Sequence, residues 1–106
     1  MNYETFAAKL TGRNSQSRKL ANNTTLLRVD PSTIAVKLHS TNVITFHADG
    51  RIVFDSGGWK TSTTKERMNS YGPARVSQDK GMWTISIDGN SANYADGISW
   101  SGKKWI

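Results

Sequence analysis

The sequence has no cysteine, only two prolines and fewer acidic than basic side chains, eight against fourteen. Without cysteine the chain forms neither a disulfide nor a thiolate metal site, which fits a reducing compartment. No apolar run approaches the ~20 residues that span a bilayer, and the first residues lack the basic and apolar regions of a secretory signal. We therefore expect no membrane partner and a cytoplasmic location.

The excess of basic side chains is the main sequence signal about partners. The net charge is +6 and the pI is about 9.9, a balance that favours nucleic acid, phosphorylated ligands or acidic protein surfaces. The basic residues are concentrated in the first part of the chain, with only Glu4 and Asp30 flanking them. They are Lys9, Arg13, Arg18, Lys19 and Arg28.

The length and the apolar content bound the number of domains. A chain of 106 residues with 36% hydrophobic content is one small globular domain, which buries roughly two thirds of its unfolded surface. A second core does not fit. Because the chain has four Trp, three Tyr and three Phe, we expect a thin core that is rich in aromatic side chains.

The N-terminal segment, residues 1–12, has the apolar spacing of one helical face. The residues with this spacing are Tyr3, Phe6, Ala7 and Leu10. Asn2 is a suitable N-cap for this helix. Residues 13–25 are polar and basic, with Leu20 as their only large apolar side chain, so we expect a loop or at most a short helical turn around 18–21. If any segment of the chain orders only on binding, it is this one.

Residues 26–106 are predicted to form a sheet and one further helix. Ile34, Val36 and Leu38 alternate with polar or small residues, the period of a strand with one buried face. An Asp-Gly step at 49–50 between two strand-like runs predicts a hairpin. The fold class is therefore α+β: an antiparallel sheet of about five strands, a helix over 63–71 packed across one face, and an N-terminal helix.

Residues 55–69 combine a glycine corner with a helix start. Thr63 and Glu66 have the spacing of a capping box, which predicts that the helix begins at Thr63. Trp59 is expected to plug the core, and Met68 to face the sheet. Gly72-Pro73 ends the helix.

Several stretches resemble a family of small proteins encoded by tailed bacteriophages. The most specific is the Gly-Gly-Trp-x-Thr-x-Thr-Thr-x-x-Arg-x-Asn block that begins at Gly57. The resemblance spans residues 18–98 and is carried by 18–24, 34–43, 57–69, 81–83 and 95–98. The family has no assigned activity, so the resemblance implies origin: an accessory protein made inside an infected bacterium, where many such proteins handle nucleic acid or block host defence.

Two interpretations of the glycine-tryptophan block stay open. In the functional one, the helix N-terminus binds phosphate, aided by nearby cations and hydroxyls. In the structural one, the glycines turn the chain, Trp59 is core, Thr63 caps the helix and the cations are solvated. The block is not a Walker A loop, because the glycine spacing and the Gly-Lys-Ser/Thr ending are missing.

The candidate residues for nucleic-acid or anion binding come from this block and from the basic segment. They are Arg13, Arg18, Lys19, Arg28, Lys60, Thr61, Thr64, Lys65 and Arg67. The last five have no structural duty that the pattern reveals. A second set at the C-terminus is a candidate partner contact, with base stacking and local packing as alternatives. It comprises Trp100, Lys103, Lys104 and Trp105.

The two histidines, His39 and His47, invite comparison with a small metal-dependent nuclease. That chemistry needs further His or carboxylate ligands at defined spacings. Glu66 and Asn69 are weak candidates for these ligands. Two solvent-facing strand histidines are the simpler interpretation. No nucleophile elbow is present, so we predict no catalytic residue, no metal ligand and no cofactor.

The leading functional hypothesis is a phage accessory protein that binds a polyanion, above all nucleic acid, without catalysis, in the cytoplasm of the infected host. Binding rests on phosphate neutralisation and counterion release. The first alternative is a counter-defence inhibitor that binds a host protein such as a CRISPR-type complex. The second is a small metal-dependent nuclease that uses His47. A homodimer is compatible with each.

Overall fold

Antiparallel pairing organises the strands of the chain into two sheets. The computed structural model describes residues 2–12 and 15–106. Within them the elements are α1 (Tyr3–Ala7), β1 (Ser17–Ala21), β2 (Thr24–Asp30), β3 (Thr33–Leu38), β4 (Thr41–His47), β5 (Ile52–Phe54), α2 (Ser62–Tyr71), β6 (Arg75–Asp79), β7 (Met82–Ile87), β8 (Asn90–Asn93) and β9 (Ile98–Trp100). The predicted α+β class is confirmed.

The larger sheet has six strands in the order β1-β2-β3-β4-β5-β9, and the smaller has three in the order β6-β7-β8. The described residues therefore contain more strands than the about five expected from the pattern. The unexpected strands include β1 and β8, which are polar and carry few apolar side chains. Alternation of apolar residues is weak in such strands.

The predicted hairpin at Asp49–Gly50 joins β4 to β5. The His47 backbone N–H donates to the Arg51 carbonyl at 2.9 Å, and the Gly50 N–H donates to the His47 carbonyl at 3.0 Å. Gly50 has a φ of +98°, in the region that favours glycine. The Asp-Gly signal was therefore sufficient to place this turn.

One face of the six-stranded sheet forms the core against both helices. The register sets Ile34, Phe46 and Ile52 side by side on neighbouring strands. Phe6 of α1 packs on Phe46 with their ring centroids 5.2 Å apart. Helix α2 contacts β3, β4 and β6, and its Met68 is fully buried. The inward orientation of Met68 is confirmed. Phe6 and Leu10 are buried as expected, but α1 ends at Ala7 and does not extend to residue 12 as predicted.

The opposite face of this sheet is not covered by either helix. Leu27, Ala35, Thr45 and Val53 are neighbours on it, one from each of four adjacent strands. Ala35 is buried between larger neighbours, and the other three are half-exposed. The sheet is therefore buried on one side, as an antiparallel sheet can be.

The segment predicted as a basic loop, residues 13–25, contains strand β1 instead. Ser17–Ala21 pairs with β2 through backbone hydrogen bonds, which do not require apolar side chains. Asn23 has a φ of +53° and turns the chain between the two strands. Asn-Asn is a turn signal of this kind. Arg13 lies outside the residues that the structure describes.

Helix α2 begins earlier than the predicted start at Thr63. Its N-cap is Thr61, whose side chain accepts from the Thr64 backbone N–H at 3.2 Å. The predicted capping box of Thr63 and Glu66 is therefore wrong. The run Thr61-Ser62-Thr63-Thr64 offers several hydroxyl residues that can cap, and only the extended backbone at Thr61 (φ −103°, ψ 166°) selects one.

The C-terminal tryptophans pack locally. Trp100 is buried, and its ring lies 5.1 Å from that of Trp105 in an edge-on arrangement. The Trp105 Nε1 donates to the Asn90 carbonyl at 2.8 Å. This arrangement favours the local-packing interpretation for both rings. The neighbouring Lys103 and Lys104 are exposed.

Within residues 2–12 and 15–106, no helix has the length and apolar character needed to cross a membrane.

Candidate functional site

A cavity of about 470 Å³ opens beside the N-terminal end of α2. Its lining comes from the β3–β4 turn (38–41), from Val43 and Ser56, and from Trp59, Thr61, Thr63 and Thr64 around the helix start. The volume falls within the ~300–1,000 Å³ typical of small-molecule sites. The glycine-tryptophan block therefore forms one wall of a pocket, and the β3–β4 turn forms another.

Trp59 is 70% exposed at this pocket, so the prediction that it plugs the core is wrong. Residue Ser56, three positions earlier, points inward instead and is 1% exposed. Gly57 and Gly58 both have positive φ and turn the chain between these two residues. The polar neighbours of Trp59 in sequence were a signal of exposure, because no apolar period includes it.

The backbone around Trp59 is held by hydrogen bonds on both sides. Its N–H donates to the Ser56 carbonyl at 3.0 Å, and its carbonyl accepts from the Thr61 N–H at 2.9 Å. Gly57 donates to the Asp55 carboxylate at 2.7 Å. The exposed indole is therefore presented by an ordered loop.

Asp96 anchors this loop from a distant part of the chain. Its carboxylate accepts from the Ser56 N–H at 2.9 Å and from the Ser56 hydroxyl at 2.7 Å. It also accepts from the Tyr94 hydroxyl at 2.7 Å and the Gly58 N–H at 3.3 Å. We call these four residues the Asp96 cluster. The 40-residue separation of Ser56 and Asp96 left no pattern by which the sequence could reveal their contact.

The Asp96 cluster shifts the pKa of both of its acidic groups. Burial acts to raise the pKa of Asp96, but the pKa is lowered overall because the Ser56 N–H, Tyr94 hydroxyl, Ser56 hydroxyl and Gly58 N–H all donate to the carboxylate. Burial raises the pKa of the Tyr94 phenol, and its bond to Asp96 raises it further. The cluster thus favours an ionised Asp96 beside a neutral Tyr94.

Three of the predicted binding residues lie at the pocket or next to it, and each has a structural role. Thr61 caps α2, and the buried Thr64 places its hydroxyl 3.1 Å from that of Thr61. The Lys60 Nζ lies 5.6 Å from the centre of the Tyr94 ring, a cation–π contact. The expectation that these three lack a structural duty is therefore wrong.

Arg67 and Arg28 also connect elements of the fold. The Arg67 Nε donates to the buried Thr24 hydroxyl at 2.8 Å, and its guanidinium pairs with Glu66. Arg28 donates to the Tyr3 hydroxyl of α1 at 3.3 Å. These two arginines are half-buried and tie each helix to the six-stranded sheet.

The remaining candidates lie on other parts of the surface. Arg18 and Lys19 are exposed on strand β1. The Lys65 Nζ donates to the Gln78 side chain of β6 at 3.1 Å. Thr61 and Thr64 thus line the pocket and Lys60 is next to Thr61 in sequence, whereas Arg18 and Lys19 are not among the lining residues.

The basic side chains are largely without acidic partners. In the described part of the chain, the pair of Arg67 with Glu66 is the only one with a nitrogen and a carboxylate oxygen within 4.0 Å. Most of the basic side chains in the described residues are therefore not paired with a carboxylate.

The two histidines differ in their surroundings. The His47 Nδ1 lies 3.4 Å from the Thr33 hydroxyl and its Nε2 lies 3.4 Å from Arg51. His39 is in the β3–β4 turn with a φ of +54° and lines the pocket. Among the described residues, no three His, Asp or Glu side chains are grouped to hold a metal ion.

A protein-family model described as Kyanoviridae Gp96 protein matches residues 4–104. The chain belongs to this family of bacteriophage proteins. The Gp96 match includes most of α1 and all of β1, whereas the resemblance read from the sequence began only at residue 18. It establishes the predicted phage origin and assigns no role to residues 57–69.

No curated protein and no solved structure matches this member of the Gp96 family. Its candidate site is accordingly defined by geometry: the pocket, the exposed Trp59 and the Asp96 cluster that anchors the loop.

Proposed function

We propose that this phage protein binds nucleic acid through its basic surface, without catalysing a reaction, in the cytoplasm of the infected host. The observation that carries the proposal is the unneutralised positive charge: a net charge of +6 with a single ion pair in the described residues. Phosphates that replace small counterions at such a surface release those ions, which drives binding at low salt.

The exposed cations are the side chains best placed to contact phosphate. Arg18 and Lys19 on β1 have no hydrogen bond from their side chains to the rest of the described chain, so both are available to a ligand. Arg28 and Arg67 are occupied by structural contacts and contribute mainly through their charge. Arg13, outside the described residues, belongs to the same basic segment.

The test is the salt dependence of binding to a fluorescently labelled oligonucleotide, followed by anisotropy between about 50 and about 200 mM salt. The logarithm of the binding constant should fall linearly with the logarithm of the salt concentration. Because each phosphate contact contributes about 0.7 to 0.9 to the slope, an Arg18→Gln/Lys19→Gln variant should have a slope shallower by about 1.5.

The matched control is Lys103→Gln/Lys104→Gln, which removes the same charge beyond β9, at the other edge of the six-stranded sheet. Its slope should stay close to that of the parent protein. No binding at low salt, or binding that salt does not weaken, contradicts the proposed function. Equal losses in the two variants contradict the assignment to β1.

A further inference from the structure

The exposure of Trp59 is unusual among the tryptophans of this chain. Trp83 and Trp100 are buried and Trp105 is half-buried, whereas Trp59 is 70% exposed. Tryptophan is highly buried on average, and the Trp59 backbone is held in place on both sides. A fixed, solvent-exposed indole provides a flat surface on which another ring can stack.

The pocket beside this indole combines apolar and hydroxyl groups. Leu38 and Val43 are buried residues of its wall. Ser40, Thr41 and Thr63 add hydroxyls. A hydroxyl both donates and accepts hydrogen bonds. These groups can therefore pair with either donors or acceptors on the polar edge of different flat rings.

Charge selects the ligand that this pocket fits. Among the described residues its lining includes no carboxylate, and the nearby Asp55 and Asp96 accept hydrogen bonds from the loop itself. A cationic ligand would therefore find the Trp59 indole but no carboxylate in the lining to act as a counter-ion. A ring that carries a negatively charged phosphate is favoured instead, because the chain has a net charge of +6.

We infer that the Trp59 pocket binds an unpaired nucleobase of a single-stranded nucleic acid, stacked on the indole. This inference rests on the proposed function and names the form of nucleic acid that the protein takes. In a duplex the bases are stacked on one another, so a side pocket receives only a base that is single-stranded or extruded. Stacking of this kind tolerates every base, because each has a π-face.

The test compares the parent protein with Trp59→Ala and Trp59→Phe, using a single-stranded oligonucleotide and its duplex. Loss of one base–aromatic stack should weaken single-strand binding between about fivefold and about 150-fold in Trp59→Ala. Trp59→Phe should retain most of the affinity because it keeps an aromatic face. Duplex binding and the salt slope should be the same in all three proteins.

Intrinsic fluorescence supplies a second readout. Single-stranded oligonucleotide should quench the emission of the parent protein, and the quenching should be lost in Trp59→Phe, whose remaining tryptophans are buried or half-buried. Quenching by a mononucleotide as well supports the pocket and shows that it also takes the free nucleotide. Thermal unfolding should change little in either variant, since the side chain is exposed.

The inference is overturned if Trp59→Ala binds the single strand as tightly as the parent protein does, or if no oligonucleotide quenches the fluorescence. Salt-dependent binding that persists in Trp59→Ala at full strength leaves the proposed function standing and removes only the pocket. Mononucleotide quenching without salt-dependent oligonucleotide binding has a different meaning: the pocket takes a free nucleotide, whereas the proposed function and the single-strand assignment that rests on it both fail.

Discussion

Replacement of Asp96 by alanine should destabilise the protein, because it removes the acceptor that holds the loop before α2. The Ser56 N–H, the Ser56 hydroxyl and the Tyr94 hydroxyl donate to this carboxylate at 2.9, 2.7 and 2.7 Å. Ser56 and Tyr94 are both buried. A buried donor that loses its acceptor costs about 1–3 kcal/mol.

The size of the effect follows from the three donors. Asp96 itself is exposed, so water replaces part of what is lost and the low end of that range applies, about 1 kcal/mol per donor. The expected loss is about 3 kcal/mol in the free energy of unfolding. At about 4 °C per kcal/mol for a domain of this size, the melting temperature should fall by about 12 °C.

The effect should also depend on pH. Because the pKa of Asp96 is lowered in the folded state, its contribution to stability is complete above the unfolded-state pKa, near 3.9. It is lost as the pH falls through the lower folded-state pKa. The difference in melting temperature between the parent protein and Asp96→Ala should therefore be full at neutral pH and should shrink below about pH 4.

The measurement is thermal unfolding followed by circular dichroism at several pH values, with Asp79→Ala as the control. Asp79 also carries one negative charge, but it is exposed on β6 and takes part in none of the hydrogen bonds that hold the loop. A loss in Asp96→Ala no larger than that in Asp79→Ala, or one that stays constant to low pH, refutes the reasoning.

Two further substitutions test the packing around the site and the core. A Cβ on Gly57 would lie 2.6 Å from the Thr41 hydroxyl at a φ of +63°. Gly57→Ala should therefore lower the melting temperature more than Gly89→Ala, where φ is +80° and the added Cβ would meet no described residue within 4 Å other than its chain neighbours. Equal losses would show that only backbone strain matters. Met68→Ala removes a fully buried side chain and should cost about 3 kcal/mol, measured by urea denaturation. Met82→Ala, at an exposed methionine, should stay within about 0.5 kcal/mol, and a similar loss in both would contradict the placement of Met68 in the core.

Local patterns predicted the elements that bury one face. The alternation through Ile34, Val36 and Leu38 and the turn at Asp49–Gly50 placed β3, β4 and β5, because period and turn chemistry act over a few residues. The N-cap at Asn2 was also predicted and is confirmed. The strand β1 was missed because its pairing depends on backbone groups and on a neighbour rather than on apolar side chains.

The candidate site was predicted only in part. The block 57–69 does lie at a helix start in the structure. However, Trp59 was predicted to be buried and is exposed. Asp96 anchors Ser56, which is buried, and Trp59 is left exposed. Asp96 lies 40 positions away from Ser56 in the sequence. Tertiary contacts of this kind leave no periodic signal in one sequence.

Strand β1 has a further consequence as an outer strand of the six-stranded sheet. Backbone donors and acceptors on the free side of such a strand are a template for pairing with another chain. Two copies joined along β1 would bring Arg18 and Lys19 of one copy close to the same charges of the other, and like charges on paired strands are destabilising. The basic side chains of β1 therefore oppose growth of the sheet from one molecule into the next.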